Sequence, residues 1–279
     1  MNKKILIFSI IIIALFTSCD KNNDFCIHII DVGQADSILI KTPSNKSMLI
    51  DGGDEDSAKI IKSYLKNKKI KNLDVVVATH PDSDHIGSLD YIIDNFDVDK
   101  IYMTKQNTDS ESYDNLINSC NKKHLKINYL SKDDFFNLDD YTKIDVLSPS
   151  YITDNNNSNS IVLNISYKNN NFLFTGDCEE SNEIDMISSY DLENIDFLKV
   201  AHHGSSSSSS LDFLEEATPD IAVISCGYKN NYGHPHKSTL DNLEAVGAKV
   251  FRTDVNGSME FYSDGDKIYS KVKYKSEWK

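Results

Sequence analysis

Residues 79–85 read Thr-His-Pro-Asp-Ser-Asp-His directly after the apolar run Val75-Val76-Val77-Ala78, and no other stretch constrains this chain as tightly. His80, Asp82, Asp84 and His85 fall within six positions. Imidazoles and carboxylates crowded in this way are costly neighbours unless a cation sits among them, and they are the donors a divalent metal takes. The run before them reads as a buried strand. Pro81 disfavours a continuing helix, so the donors sit on a loop at a strand end. From His85 onward, Ile86, Leu89, Ile92, Ile93 and Phe96 keep the spacing of one amphipathic helix. The plain alternative is a solvated acidic turn with two incidental histidines.

Strands and helices alternate along the chain. Residues 26–32, 37–41 and 48–51 read as strands, followed by a helix with Ile60, Ile61, Tyr64 and Leu65 on one face. A strand at 100–103, a helix near 111–120, and strands at 126–130 and 143–147 come next. Residues 161–167 and 172–175 predict a hairpin across Lys168-Asn169-Asn170-Asn171. The tail continues with a strand at 196–200, a helix near 211–217, a strand at 221–225, a helix at 239–246 and strands to Lys273.

Three further stations carry candidate chemistry. Asp177 follows a buried strand and Gly176, where its carboxylate could reach a metal or cap the helix predicted at 179–189. His202 and His203 again end a strand. They could bind metal, donate to phosphate oxygens or supply a proton near neutral pH. In Tyr232-Gly-His-Pro-His236, Gly233 and Pro235 fix an unusual turn, so His234 and His236 point differently and only one need be a ligand. His28 and His124 lie in no motif and read as structural.

Five strings occur in a fixed order: Asp31-Val-Gly-Gln-Ala-Asp-Ser37, Leu49-Ile-Asp-Gly-Gly53, Phe174-Thr-Gly-Asp177, His202-His-Gly-Ser205 and Tyr232-Gly-His-Pro-His236. Together with the His-x-Asp-x-Asp-His loop they resemble the metallo-β-lactamase superfamily, in particular the β-lactamase-like domain of ComEC-type competence proteins, over roughly residues 25–265. The resemblance implies an α/β (α+β) fold, a four-layer αββα sandwich with metals at one rim. It implies two divalent metal ions, Zn or Mn, held by His80, Asp82, Asp84, His85, a bridging Asp177 and a terminal His234. Asp84, His202, His203 and His236 then carry catalysis, with His202 and His203 facing the substrate's developing charge and His236 beside His234.

The sequence departs from that family in four places. Asp82 stands where many members carry histidine, and Ala35 and Ser88 stand where glycines are usual. No histidine falls between His124 and His202, where Asn155, Asn156, Asn157 and Asn159 gather instead. An asparagine carbonyl is a weaker ligand than imidazole, so the second metal site should be looser, oxygen-rich and better suited to Mn²⁺.

The 279 residues, 39% apolar, suffice for one domain with a full core. The net charge of −14 argues against a broad basic surface for nucleic acid but allows a local basic cleft. Lys3-Lys4 precede an apolar stretch from Ile5 to Phe16 that is short for a membrane span and runs into Thr17-Ser18-Cys19. We therefore expect a lipoprotein signal at 1–18, a lipidated Cys19 opening a polar tether at 19–24, and the hydrolase domain at 25–279. Cleavage would bring the charge to −16. The alternative is an uncleaved anchor helix, and both place a monomeric domain in the cell envelope, outside the cytoplasm. Cys26, Cys120, Cys178 and Cys226 permit disulfides, but their wide spacing suits buried thiols equally well. The expected activity is metal-dependent hydrolysis of a phosphodiester: extracellular DNA, an envelope polymer or a lipid head group. A non-catalytic surface scaffold is the alternative from another class.

Overall fold

Two sheets dominate the computed structural model, which describes residues 24–274. The first has eight strands in the order Ile268–Ser270, Met259–Ser263, Phe25–Ile29, Ile38–Lys41, Ser47–Ile50, Val75–Ala78, Ile101–Met103 and Ile127–Tyr129. The second has seven, in the order Lys249–Arg252, Ile221–Ile224, Phe197–Lys199, Asn170–Phe174, Val162–Tyr167, Thr142–Ser148 and Phe135–Asp139. Each sheet is antiparallel on one side and parallel on the other. The parallel ladders join Ser47–Ile50 to Val75–Ala78 and Asn170–Phe174 to Phe197–Lys199.

Side chains alternate across each strand, and this alternation makes the layers. Phe25, Ile27 and Ile29 meet Val146, Phe172, Phe174 and Phe197 in a core between the sheets. Leu39, Leu49 and Val76 point the other way, beneath helices Ala58–Asn67, Leu89–Asn95 and Glu111–Lys122. On the far side Leu173, Leu198 and Ala222 lie beneath Glu180–Ser189, Leu211–Ala217 and Lys237–Ala245. The result is the expected four-layer αββα sandwich. Strand Val75–Ala78, in the parallel half, is buried and apolar on both faces.

Local details differ from the sequence reading. The helix expected to run unbroken from His85 is two pieces, Ser83–Ile86 and Leu89–Asn95. Between them the loop after Ser47–Ile50 presses so closely that a Cβ on Gly87 would lie 2.7 Å from the Asp54 backbone. That loop donates the Gly52 amide to the His85 carbonyl at 2.6 Å, which brings Asp51 to the loop of His80 to His85. Only Lys168 and Asn169 turn the hairpin, because Asn170 and Asn171 already pair in the strand. The edge strand Phe135–Asp139 has no clear counterpart in the sequence pattern, since its Phe135 is exposed and its apolar pattern is weak. Ile60 also points to solvent, leaving Ile61 and Leu65 as the buried face.

Cys26, Cys120, Cys178 and Cys226 are buried free thiols. Among the described residues no helix is long and apolar enough to cross a membrane. The signal and lipidation readings at residues 1–23 lie outside the described residues.

Candidate metal centre

The parallel halves of both sheets end at one rim, and loops there carry the candidate residues. Asp51 follows strand Ser47–Ile50, Thr79 to His85 follow Val75–Ala78, Asp177 follows Asn170–Phe174, and His202 and His203 follow Phe197–Lys199. Gly176 takes φ +52°, and a Cβ there would come within 3.1 Å of Ser160 and 3.2 Å of Thr79, so glycine lets the chain turn tightly into Asp177. The cap of helix Glu180–Ser189 is Glu179, in a reciprocal box with Asn182, which leaves the Asp177 carboxylate free.

Asp84, His85, Asp177 and His203 each offer a ligand atom, and these four atoms lie within 4.8 Å of one another. Two hydrogen bonds aim the imidazoles. His85 Nδ1 lies 2.8 Å from Asp51 Oδ2, whose carboxylate also accepts from the Thr79 amide and hydroxyl, both at 2.8 Å. His203 Nδ1 lies 3.0 Å from the Ser225 carbonyl, which can only accept. Both rings therefore carry the proton on Nδ1 and turn Nε2 inward, the arrangement in which an outer partner fixes a metal-binding tautomer. His85 Nε2 faces Asp177 Oδ1 at 3.2 Å, yet neither atom makes a hydrogen bond. His203 Nε2 stands 3.3 Å from Asp84 Oδ2 and 3.6 Å from Asp177 Oδ2. Lone pairs facing carboxylates in a buried space need a cation or an extra proton between them.

The titration behaviour agrees. Burial opposes charge on His85, but Asp177 and Asp51 outweigh it and raise the ring's pKa well above its ordinary value. His203 moves up as well, against burial, through Asp177 and Asp84. The Asp177 carboxyl is held well below the usual range because His85 and His203 outweigh its burial. Asp84, also against burial, falls to about 2 beside His203. These carboxylates would hold a proton on each ring where they could instead share a metal.

A second group of donors is looser. His80 Nε2 is buried without a partner and lies 3.6 Å from Asp82 Oδ2. Its Nδ1 sits 3.2 Å from Thr79 Oγ1 and 3.3 Å from Ser160 Oγ. Asp82 is half-exposed, and its Oδ1 accepts from Asn156 Nδ2 at 2.5 Å. The asparagine cluster thus meets this carboxylate with an amide N–H and offers no carbonyl at that point. Asn159 is buried and holds its own loop, accepting the Thr153 amide at 2.7 Å.

Above both groups a cleft of about 180 Å³ is lined by Gln34, Asp82, Asp84, Asn157, Asp177, His202, His203, Tyr232 and His234. His202 and His203 are both left-handed, at φ 47° and 54°. This uncommon geometry for non-glycine residues sends successive rings to different places. His203 goes into the ligand group, where the sequence placed it toward substrate. His202 stays on the rim, Nε2 3.4 Å from Asn157 Nδ2 and Nδ1 3.1 Å from Ser207 Oγ. His234, expected as the terminal ligand, is also on the rim, its ring centre 6.4 Å from that of His203. Its Nδ1 faces the Gln34 amide nitrogen at 3.3 Å, and Tyr232 stacks on it. Burial, then the neighbouring His203, His236 and His202, brings the His234 pKa down to about 4, and burial lowers that of His202. His236 lies outside the cleft lining and accepts the Ser206 amide on Nδ1 at 2.9 Å, holding the serine loop.

Several contributors escaped the sequence reading. Asp36 and Lys199 form a fully buried ion pair at 2.8 Å beneath His203. Gln34 spans the rim, its Oε1 accepting the Gly227 amide at 2.9 Å. Asp36, Asp51 and Gln34 all lie within motif strings, and that was the available signal. Lys199, inside an apolar strand, carried none.

Residues 30–228 match the profile of the family described as the metallo-beta-lactamase superfamily. ComE operon protein 3 of Bacillus subtilis (strain 168) is 28% identical over 253 residues, which span 84% of this chain and 32% of that protein. Competence protein ComA of Neisseria gonorrhoeae is 28% identical over 246 residues, 86% of this chain and 32% of that protein. The chain therefore spans about a third of the length of these relatives. Among solved structures, the metallo-beta-lactamase fold protein YhfI from Bacillus subtilis superposes with a TM-score of 0.55 at 15% identity, covering 88% of this chain and 99% of that one.

Proposed function

Because the chain belongs to the metallo-β-lactamase superfamily, we propose that it is a metal-dependent hydrolase that cleaves phosphodiester bonds outside the cytoplasm. The observation that carries this reading is the inward-facing pair of buried imidazole nitrogens, His85 Nε2 and His203 Nε2, set against the buried Asp177 and the half-exposed Asp84. Asp84, His85, Asp177 and His203 would hold the principal ion, and His80 and Asp82, sharing Asp177, would hold a weaker second one. A divalent ion bound there supplies Lewis acidity and lowers the pKa of bound water.

The chain's own groups supply the rest. Asp51 and the Ser225 carbonyl keep His85 and His203 in the tautomer that presents Nε2. His202 and His234 are neutral at pH 7 because burial lowers both. The Gln34 amide occupies His234 Nδ1, so the ring presents Nε2–H as a hydrogen-bond donor beside the cleft. Such a donor suits a non-bridging phosphate oxygen or a departing alkoxide.

The test is hydrolysis of bis(p-nitrophenyl) phosphate and single-stranded DNA by metal-free protein reloaded with Zn²⁺ or Mn²⁺, beside Asp84→Ala. Turnover that needs the metal and is lost in Asp84→Ala supports the reading. Stoichiometric metal with no turnover on any diester would leave a binding protein in its place.

A further inference from the structure

A groove of about 840 Å³ lies at the opposite end from the metal centre. Ser47 and Asp74 line it, and they stand at the N-terminal ends of the parallel strands whose C-terminal ends lead to Asp51 and His80. Four residues of strand separate the two ends by about 13 Å. Five lysines line the groove: Lys41, Lys46, Lys68, Lys69 and Lys71. Three carboxylates share it, Asp24, Asp74 and Glu260, so its lining is net positive on a chain of net charge −14.

The carboxylates are already engaged. Asp74 pairs with Lys46 at 2.6 Å, Glu260 takes Lys68 and the Tyr262 hydroxyl, and Asp24 takes the Tyr269 hydroxyl. Cys26, His28 and Glu260 gather on the floor, but the occupied Glu260 and the lysines above it disfavour a cation there. Lys69 and Lys71 are exposed at the end of helix Ala58–Asn67. The groove is built to receive negative charge.

Its position indicates the source. Asp24, where the described chain starts, lines this groove, and the 23 residues before it contain the apolar stretch Ile5–Phe16 and Cys19. Four residues lie between Cys19 and Asp24, so the span from one to the other reaches at most about 18 Å when extended. Whether a lipid on Cys19 or the apolar stretch itself enters the bilayer, the lysine rim is the part of the domain held nearest to it. We propose that this groove is a docking surface for anionic phospholipid head groups, which orients the domain with its metal centre facing away from the membrane. If the hydrolase reading holds, that orientation favours polymer strands over head groups of the same leaflet as substrate.

The full-length chain, reconstituted in vesicles of phosphatidylcholine with or without phosphatidylglycerol, tests this by lysine acetylation read by mass spectrometry. Phosphatidylglycerol should slow Lys46, Lys69 and Lys71 roughly fivefold each, as expected where a lysine sits in the potential of an acidic surface. High salt should reverse the effect, and Lys237 at the other rim should not respond. Equal rates in both vesicles would overturn the proposal. Protection of the same lysines by duplex DNA, without acidic lipid, would reassign the groove to nucleic acid and overturn it as well. A Lys46→Gln/Lys69→Gln/Lys71→Gln protein should keep its metal content and turnover, so failure of docking and failure of the hydrolase reading are read separately. Flotation with phosphatidylcholine alone reports the anchor independently of both.

Discussion

Asp51 touches neither the cleft nor the four ligand atoms directly, yet replacing it should weaken the metal centre. In Asp51→Asn one carboxylate oxygen becomes an NH₂ group. One oxygen can still accept the Thr79 amide, but the NH₂ then meets the Thr79 hydroxyl and His85 Nδ1, both now 2.8 Å from Oδ2. The hydroxyl can rotate to accept. The imidazole can accept only by moving its proton to Nε2, which removes the lone pair facing Asp177. Loss of such an outer partner typically costs 10–100-fold in metal affinity, equivalent to about 1.4–2.7 kcal/mol. At a fixed excess of metal the stabilisation gained on binding should shrink by the same amount. For a domain of this size that corresponds to roughly 3–10 °C less metal-induced rise in Tm. Chelator competition and thermal unfolding, each with and without Zn²⁺ or Mn²⁺, measure both quantities. Wild-type affinity in Asp51→Asn would show that the tautomer of His85 is fixed by something else, and the orientation argument would fall.

Three other substitutions probe separate parts. His203→Ala should lose metal nearly as completely as Asp84→Ala, whereas His234→Ala should retain it and lose roughly 10²–10³ in kcat, the size expected for one lost donor; metal analysis beside kinetics separates the two. Lys199→Met should cost about 3–5 kcal/mol because Asp36 is left buried and uncompensated, while Lys199→Met with Asp36→Leu should recover much of it in chemical unfolding. His28 is buried and its pKa brought down to about 3, chiefly by that burial, so the folded chain keeps it neutral while the unfolded chain protonates it below about 6.5. Its contribution is therefore lost as pH falls from about 6.5 toward 3, by about 2 kcal/mol at pH 5, and unfolding curves of His28→Gln should lack that part of the acid dependence.

The layers were legible because alternation in strands such as Phe25–Ile29 and the 3.6-residue spacing of helix Ala58–Asn67 are local signals. The break at Gly87 was not, because it comes from a loop distant in sequence pressing on the helix. The site divided in the same way. His80, Asp82, Asp84 and His85 share one loop, and their spacing announced them. The choice between His203 and His234 as the inner imidazole rested on the left-handed backbone at 202 and 203, which neighbouring residue types do not specify. Lys199 was hidden in an apolar strand because its partner, Asp36, is 163 positions away.

The two groups of donors also bear on how many ions the centre holds. The inner group has two imidazoles and two carboxylates, and both imidazoles are oriented from behind. The outer group has one imidazole, one carboxylate with an oxygen already engaged by Asn156, and whatever Asp177 can share. An ion in the outer place would meet an Asp82 with one oxygen already taken by Asn156 and would rely on Asp177, which also serves the inner group, so the two places should fill in sequence. The inner place has a donor set suited to Zn²⁺, whereas an outer place completed by water and carboxylate oxygens favours Mn²⁺. A titration of metal-free protein should therefore show one tight equivalent and a second, weaker one that His80→Ala removes while the first stays. Two equivalents of equal affinity, both lost in His80→Ala, would mean that the pair binds as one dinuclear unit and that the division drawn from these distances is wrong.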